Sequence, residues 1–137
     1  MNKPFRTALV GLSLMCAAAQ ALAIEIVVVV NPKNPATRMF SEQASQFFLG
    51  KSTMFVPLDQ AEKSPIRAEF YQKISGKDIS QVKAAWAKIV FTGKGVAPIE
   101  MHSTAEVKKA IVADLNAIGY IEKSAVDDSV KVILTLP

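Results

Sequence analysis

The chain has 137 residues, half of them hydrophobic, with a formal net charge of +4, one cysteine and one histidine. So few soft ligands exclude a multi-histidine metal site and an intramolecular disulfide. The lysines are spread from Lys33 to Lys131 without a dense run, which describes a solvated surface and not a nucleic-acid footprint.

Met1 to Arg6 carries Lys3 and Arg6 and no acid, Thr7 to Ala19 is almost continuously apolar, and Ala21-Leu22-Ala23 ends the segment on small residues. A basic start, a short apolar run and an A-x-A ending predict a secretory signal peptide, residues 1–23, cleaved after Ala23. The apolar run falls short of the ~20 residues of a membrane-spanning helix. Cys16 follows bulky Leu14 and Met15, where lipid attachment wants small residues. Cleavage removes the cysteine and two of the 16 basic residues but none of the 12 acids, so the mature chain carries +2. Residues 24–137 are enough for one domain, stabilised by packing alone in an oxidising compartment.

Ile26 to Val30 is an unbroken β-branched run that predicts a central strand covered on both faces, ended by Asn31-Pro32. After a proline-containing loop to Thr37, Ser41 is positioned to cap a helix with Ala44, Phe47 and Phe48 on one face and Gly50 as its stop. Met54 to Leu58 reads as a second strand. Ser64-Pro65 predicts the next helix start, with Ser as N-cap and Pro at N1, followed by an apolar face of Ile66, Phe70, Tyr71 and Ile74 and an end at Gly76. A helix from Ser80 carries Val82, Ala85, Trp86, Ile89 and Val90 on one stripe and breaks at Gly93-Lys94-Gly95. Ser103-Thr104-Ala105-Glu106 predicts a capping box ahead of Val107, Ala110, Ile111 and Leu115. Ile118 to Ile121 and Val130 to Leu134 complete the pattern as late strands. Strands alternating with helices and no internal repeat predict a single α/β domain. Val28, Val30, Phe48, Phe70, Trp86, Ile89, Ile111 and Ile118 are its expected core.

Catalytic candidates are sparse. His102 precedes a helix cap and reads as a loop residue rather than a general base. Asp127-Asp128 reads as a turn before the last strand, since neighbours in an extended strand point to opposite faces. Gly93-Lys94-Gly95 lacks the rest of a phosphate-loop pattern and reads as a helix C-cap. Trp86 with Ile89 and Val90 reads as core more readily than as a ligand platform. The sequence therefore points away from an enzyme and requires no cofactor. Ser64-Pro65-Ile66-Arg67 has more content: it sets a hydroxyl, the free N–H groups of a helix start and an arginine in one region, the ingredients of an anion site. A capped surface helix with a solvated Arg67 accounts for the same four residues.

Six segments, in order, resemble the phosphate-type periplasmic substrate-binding proteins of ABC transporters. They are Val27-Val28-Val29-Val30-Asn31-Pro32, Phe47-Phe48-Leu49-Gly50-Lys51, Val56-Pro57-Leu58-Asp59-Gln60, Arg67-Ala68-Glu69-Phe70, Phe91-Thr92-Gly93-Lys94-Gly95 and Ala117-Ile118-Gly119-Tyr120-Ile121. The resemblance implies a periplasmic location and a three-layer lobe with a mixed sheet flanked by helices. It also implies a ligand site of Gln60, Ser64, Ile66 and Arg67. Two departures accompany it. Such proteins close two lobes on the anion, and 114 residues suffice for about one, resembling the second. The anion loop also differs: Gln60 stands where an arginine is usual, and Ser-Gly-Thr-Arg has become Ser64-Pro65-Ile66-Arg67, so donors are lost. Two or three charge-assisted bonds gain about 4–9 kcal/mol, against an association cost of about 4–15 kcal/mol. Phosphate or a related oxyanion is then expected to bind at millimolar strength or weaker. Two functions stay open. One is a weak anion-binding module completed by a second copy. The other is a protein-interaction or regulatory envelope component, working with an ABC permease or a membrane sensor, that kept the fold and lost anion binding and transport. Neither involves nucleic acid.

Overall fold

The computed structural model describes residues 24–137; the expected signal peptide lies outside them. The elements follow as β1 (Ile26–Val30), α1 (Ser41–Phe48), β2 (Val56–Gln60), α2 (Arg67–Ser75), α3 (Ile79–Phe91), β3 (Ile99–Met101), α4 (Thr104–Ala113), β4 (Ala117–Glu122), a 3-10 turn (Lys123–Ala125) and β5 (Lys131–Leu136).

One five-stranded sheet runs β3-β2-β4-β1-β5. β2 is parallel to β3 and β4, and β1 is antiparallel to β4 and β5, so β1 alone runs against the other four. The crossover from β2 out to β3 uses α2 and α3, which pack on one face. The return from β3 past β2 to β4 uses α4, which packs on the other. Reversing direction across the sheet while keeping right-handed crossovers forces that change of face. A mixed sheet between two helical layers is the expected α/β lobe.

β1 is buried on both sides, as its unbroken apolar run predicts. Ile26, Val28 and Val30 join the larger core with Phe48, Phe70, Tyr71, Trp86 and Tyr120. Val27 and Val29 join the smaller one with Leu58, Val107, Ile111 and Ile121. Of the expected core, Ile89 is the exception. It is only partly buried against the larger cluster, because it lies near the end of α3, where Val90 and Phe91 already face solvent.

Several element boundaries differ from expectation, each for a visible reason. β2 runs two residues past Leu58 because the side chains of Asp59 and Gln60 find partners inside the fold. α2 begins at Arg67, so Ser64 and Pro65 are neither N-cap nor N1. The Ser64 N–H closes a turn on the Ala61 carbonyl at 2.8 Å, and its hydroxyl is used elsewhere. α1 includes Ser41, and its entry is held by Gln43 Oε1 accepting the Phe40 N–H at 2.9 Å. α3 is capped by Asp78 rather than begun at Ser80; Asp78 accepts the Gln81 N–H while Gln81 accepts that of Asp78. In α4, Ser103 caps Glu106 as expected, but the Glu106 carboxylate reaches one residue further back, to the His102 N–H at 2.7 Å. α4 ends at Ala113, which leaves Leu115 exposed. β3 carries no signal in the sequence: it is three residues long, and Ile99 and Glu100 are exposed.

Candidate functional site

The carboxyl ends of β2 and β3 and the starts of α2 and α4 meet at one edge of the sheet, where ligands of parallel α/β sheets bind. β2 delivers Asp59 and Gln60 there, both buried. The Asp59 carboxylate accepts from Tyr120 Oη at 2.5 Å, from Tyr71 Oη at 2.7 Å and from the Gln60 N–H at 2.9 Å. Tyr120 stacks on Phe70 with ring centroids 3.8 Å apart. Burial, and after it the negative charge of Asp59, pushes both phenols far above the usual tyrosine range.

Arg67, in the first turn of α2, points into this network. Its Nη1 donates to the Gln60 carbonyl at 3.0 Å and to Glu100 Oε1 at 2.5 Å, and its Nη2 lies 3.7 Å from Asp59 Oδ2. Only 9% of the side chain is exposed, and its Nε is buried without a partner. Burial works against the charge, but Asp59 and Glu100 outweigh it and the guanidinium pKa is raised. Arg67 is therefore a buried ion-pair residue rather than a solvated one.

The other three expected ligand residues divide between surface and core. Gln60 Nε2 donates to the Tyr120 carbonyl at 2.8 Å, and its Oε1 accepts from the Ser64 hydroxyl at 2.5 Å. Gln60 and Ser64 line a small cavity of about 280 Å³ with Lys63, His102, Thr104 and Glu122. Ile66 is fully buried and packs in the larger core. Arg67 lines a different and larger cavity of about 540 Å³ between α3 and β3, with Asp59, Trp86, Val90, Pro98 and Glu100. The fold thus joins Gln60 to Ser64 and Gln60 to Arg67, while the Ser64 hydroxyl and the Arg67 guanidinium serve separate cavities.

Sequence reasoning missed Asp59, Tyr71, Tyr120 and Glu100. A signal was present for three of them. The chain has only two tyrosines, both within apolar stretches, and a buried phenol needs an acceptor. Asp59, at the end of an apolar strand, is the acceptor they find. Glu100 sits on the strand that left no pattern. His102 is an exposed loop residue, Asp127 and Asp128 lie at a turn ahead of β5, and Gly93 follows α3 at φ +68°, all as the local readings expected. Among the described residues, no group of three or more histidine, cysteine or acidic side chains is placed to hold a metal. No helix among them is long and apolar enough to cross a membrane.

No family model and no curated protein matches the sequence. Solved structures do match the fold. A Clostridium perfringens protein assigned as a phosphate ABC transporter substrate-binding protein, crystallised with phosphate, superposes with a TM-score of 0.66 at 21% identity, covering 80% of this chain and 45% of that one. An ABC-type phosphate transport receptor from Vibrio cholerae gives 0.64 at 21% identity, covering 80% and 46%. PstS from Borrelia burgdorferi gives 0.60 at 12% identity, covering 80% and 47%. The chain spans less than half the length of these proteins, and over most of its own length it has the fold of one lobe of a phosphate-type periplasmic substrate-binding protein.

Proposed function

We propose that this is an exported periplasmic protein of the substrate-binding type, without catalysis, that acts as a protein-interaction or regulatory component of the envelope. The observation that carries this reading is the internal partnering of Arg67. Its guanidinium is held by Asp59, Glu100 and the Gln60 carbonyl, so an incoming anion would compete with two carboxylates already in place. The Ser64 hydroxyl is likewise committed to Gln60. Loss of free donors fits a lobe that keeps its fold for a partner, with an ABC permease or a membrane sensor as the natural candidates.

Weak anion binding is the second reading, favoured by Lys63 lining the smaller cavity with Ser64 and Gln60. Phosphate held there by Lys63, beside the Glu122 carboxylate and with the Ser64 hydroxyl donated to Gln60, would bind at about millimolar strength or weaker. Calorimetric titration of phosphate into the purified protein, carried to tens of millimolar, separates the two: saturable heat in the millimolar range supports weak anion binding. No saturable heat across that range is the expected result. Micromolar binding would overturn the interaction reading and require a second copy or another chain to complete the cleft. In the same preparation, a pull-down from periplasm and solubilised membranes should enrich a specific envelope protein.

A further inference from the structure

Large apolar side chains are exposed at the end of α3, beside the larger cavity. Val90 and Phe91, at the end of α3, and Val96, in the loop that follows, are all exposed, Phe91 at 92% and Val96 at 86%. Single exposed apolar residues are ordinary, but large ones gathered beside an open groove mark an interaction surface. The groove runs between α3 and β3, walled by Val82, Trp86, Val90 and Pro98; of its charged residues, Lys83 is paired with Glu62 and Arg67 with Asp59 and Glu100. Phe91 follows Ala87, another residue of the groove wall, by one helical turn and so stands at the rim. At 92% exposure it does not fill the groove beside it. Knob and hole lie side by side on one face.

One pair of charges on this face, Lys94 and Glu100, is complementary in the same sense. Lys94 is exposed three residues after Phe91, next to the knob. Glu100, next to the hole, is half exposed and uses only Oε1 on Arg67.

We propose that a second copy of this chain docks on this face, the Phe91 of each copy entering the α3–β3 groove of the other, with Lys94 opposite Glu100. A patch carrying both halves of a contact meets itself across a two-fold axis, the arrangement of closed symmetric dimers. Every apolar and charged contact is then made twice. The small cavity at Ser64 is not part of the groove, so this pairing leaves that cavity open to phosphate.

Sedimentation of the purified protein over a concentration series tests the pairing. A dimer that dissociates on dilution is expected. Phe91→Asp should weaken it by roughly 30-fold or more, the size of effect found for a central interface residue. Lys94→Glu should weaken it by about fivefold, and added salt should act in the same direction. Both positions are exposed, so at dilutions where every form is monomeric the thermal melting of the variants should match that of the unsubstituted protein. Trp86 is the only tryptophan and lines the groove, so its emission should shift with dimerisation and cease to shift in Phe91→Asp. A protein that stays monomeric at every concentration overturns the proposal and leaves the groove to a different protein or a small apolar ligand. A dimer indifferent to Phe91→Asp overturns it too, by placing the contact on another face.

Discussion

At the residue scale, the two tyrosines give the buried network a direct optical readout. Tyr71 and Tyr120 are the only tyrosines in the chain, and both donate to Asp59. Burial first, and the Asp59 charge second, raises both phenol pKa values well beyond the ordinary tyrosine range. The sign follows from linkage. A group whose folded pKa lies above its unfolded value stabilises the fold fully below the unfolded pKa, and that stabilisation is lost as pH rises past it. Stability should therefore decline from about pH 10, the ordinary phenol value. Absorbance at 295 nm should show no phenolate while the protein is folded, then both phenolates together as it unfolds. A phenolate signal that rises near pH 10 with native near-ultraviolet circular dichroism intact would show that the phenols reach solvent. The network was only half legible in the sequence. Tyr71 fits the helical apolar stripe and Tyr120 the strand, so each place in the core could be read, whereas their convergence on one carboxylate depends on pairing across the fold.

At the element scale, the helix ends show where sequence chemistry sufficed. After α1, the Lys51 N–H donates to the Gln46 carbonyl and the Gly50 N–H to that of Phe47. After α3, the Lys94 N–H donates to the Ile89 carbonyl and the Gly93 N–H to that of Val90. Both are Schellman endings with glycine in the left-handed region, at φ +76° and +68°. Their surroundings differ. A Cβ on Gly93 meets nothing within 4 Å, whereas one on Gly50 would lie 2.5 Å from Ile89 Cδ1 and 2.9 Å from Trp86. Gly93→Ala should therefore cost about 1–2 kcal/mol, the left-handed penalty alone. Gly50→Ala should cost about 2–5 kcal/mol, because overpacking against α3 adds about 1–3. Chemical denaturation of the two variants checks the order, and equal losses would mean that α1 and α3 do not meet as tightly as described. The glycines were legible as stops, but the crowding at one of them was not, since it comes from a helix about 40 residues away. The start of α2 was misjudged for the opposite reason. Ser-Pro is a sound local start signal, but an equally local bond from the Ser64 hydroxyl to Gln60, four residues back, overrode it. β3 exists because β2 offers it a parallel edge, which no pattern in three mostly exposed residues could announce.

At the scale of the whole molecule, the first strand of the described chain lies inside the sheet, and its two neighbours come from the C-terminal end. β1 pairs in full with β4 and β5, so the sheet cannot close until residues about 90–110 positions apart have met. The loop after β1 is tied to the same late elements: Asn31 Nδ2 donates to the Ile111 and Val112 carbonyls at the end of α4, and Asn34 Nδ2 to that of Leu115. β3 is different, a three-residue edge strand with one neighbour, held by its ladder to β2, by Met101 against the smaller core and by the Glu100 pair with Arg67. Opening free energy should therefore be graded across the sheet. In native-state hydrogen exchange, the amides of β1 and β4 should exchange only through global unfolding, and those of β3 through a smaller opening that leaves β1 protected. Equal protection of β3 and β1 would show that the edge strand is an integral part of the cooperative unit. The gradient also bears on the proposed dimer, because β3 lies at its groove. If a second copy covers that face, raising the protein concentration should slow exchange in β3 and leave β1, already limited by global unfolding of the lobe, the less affected strand.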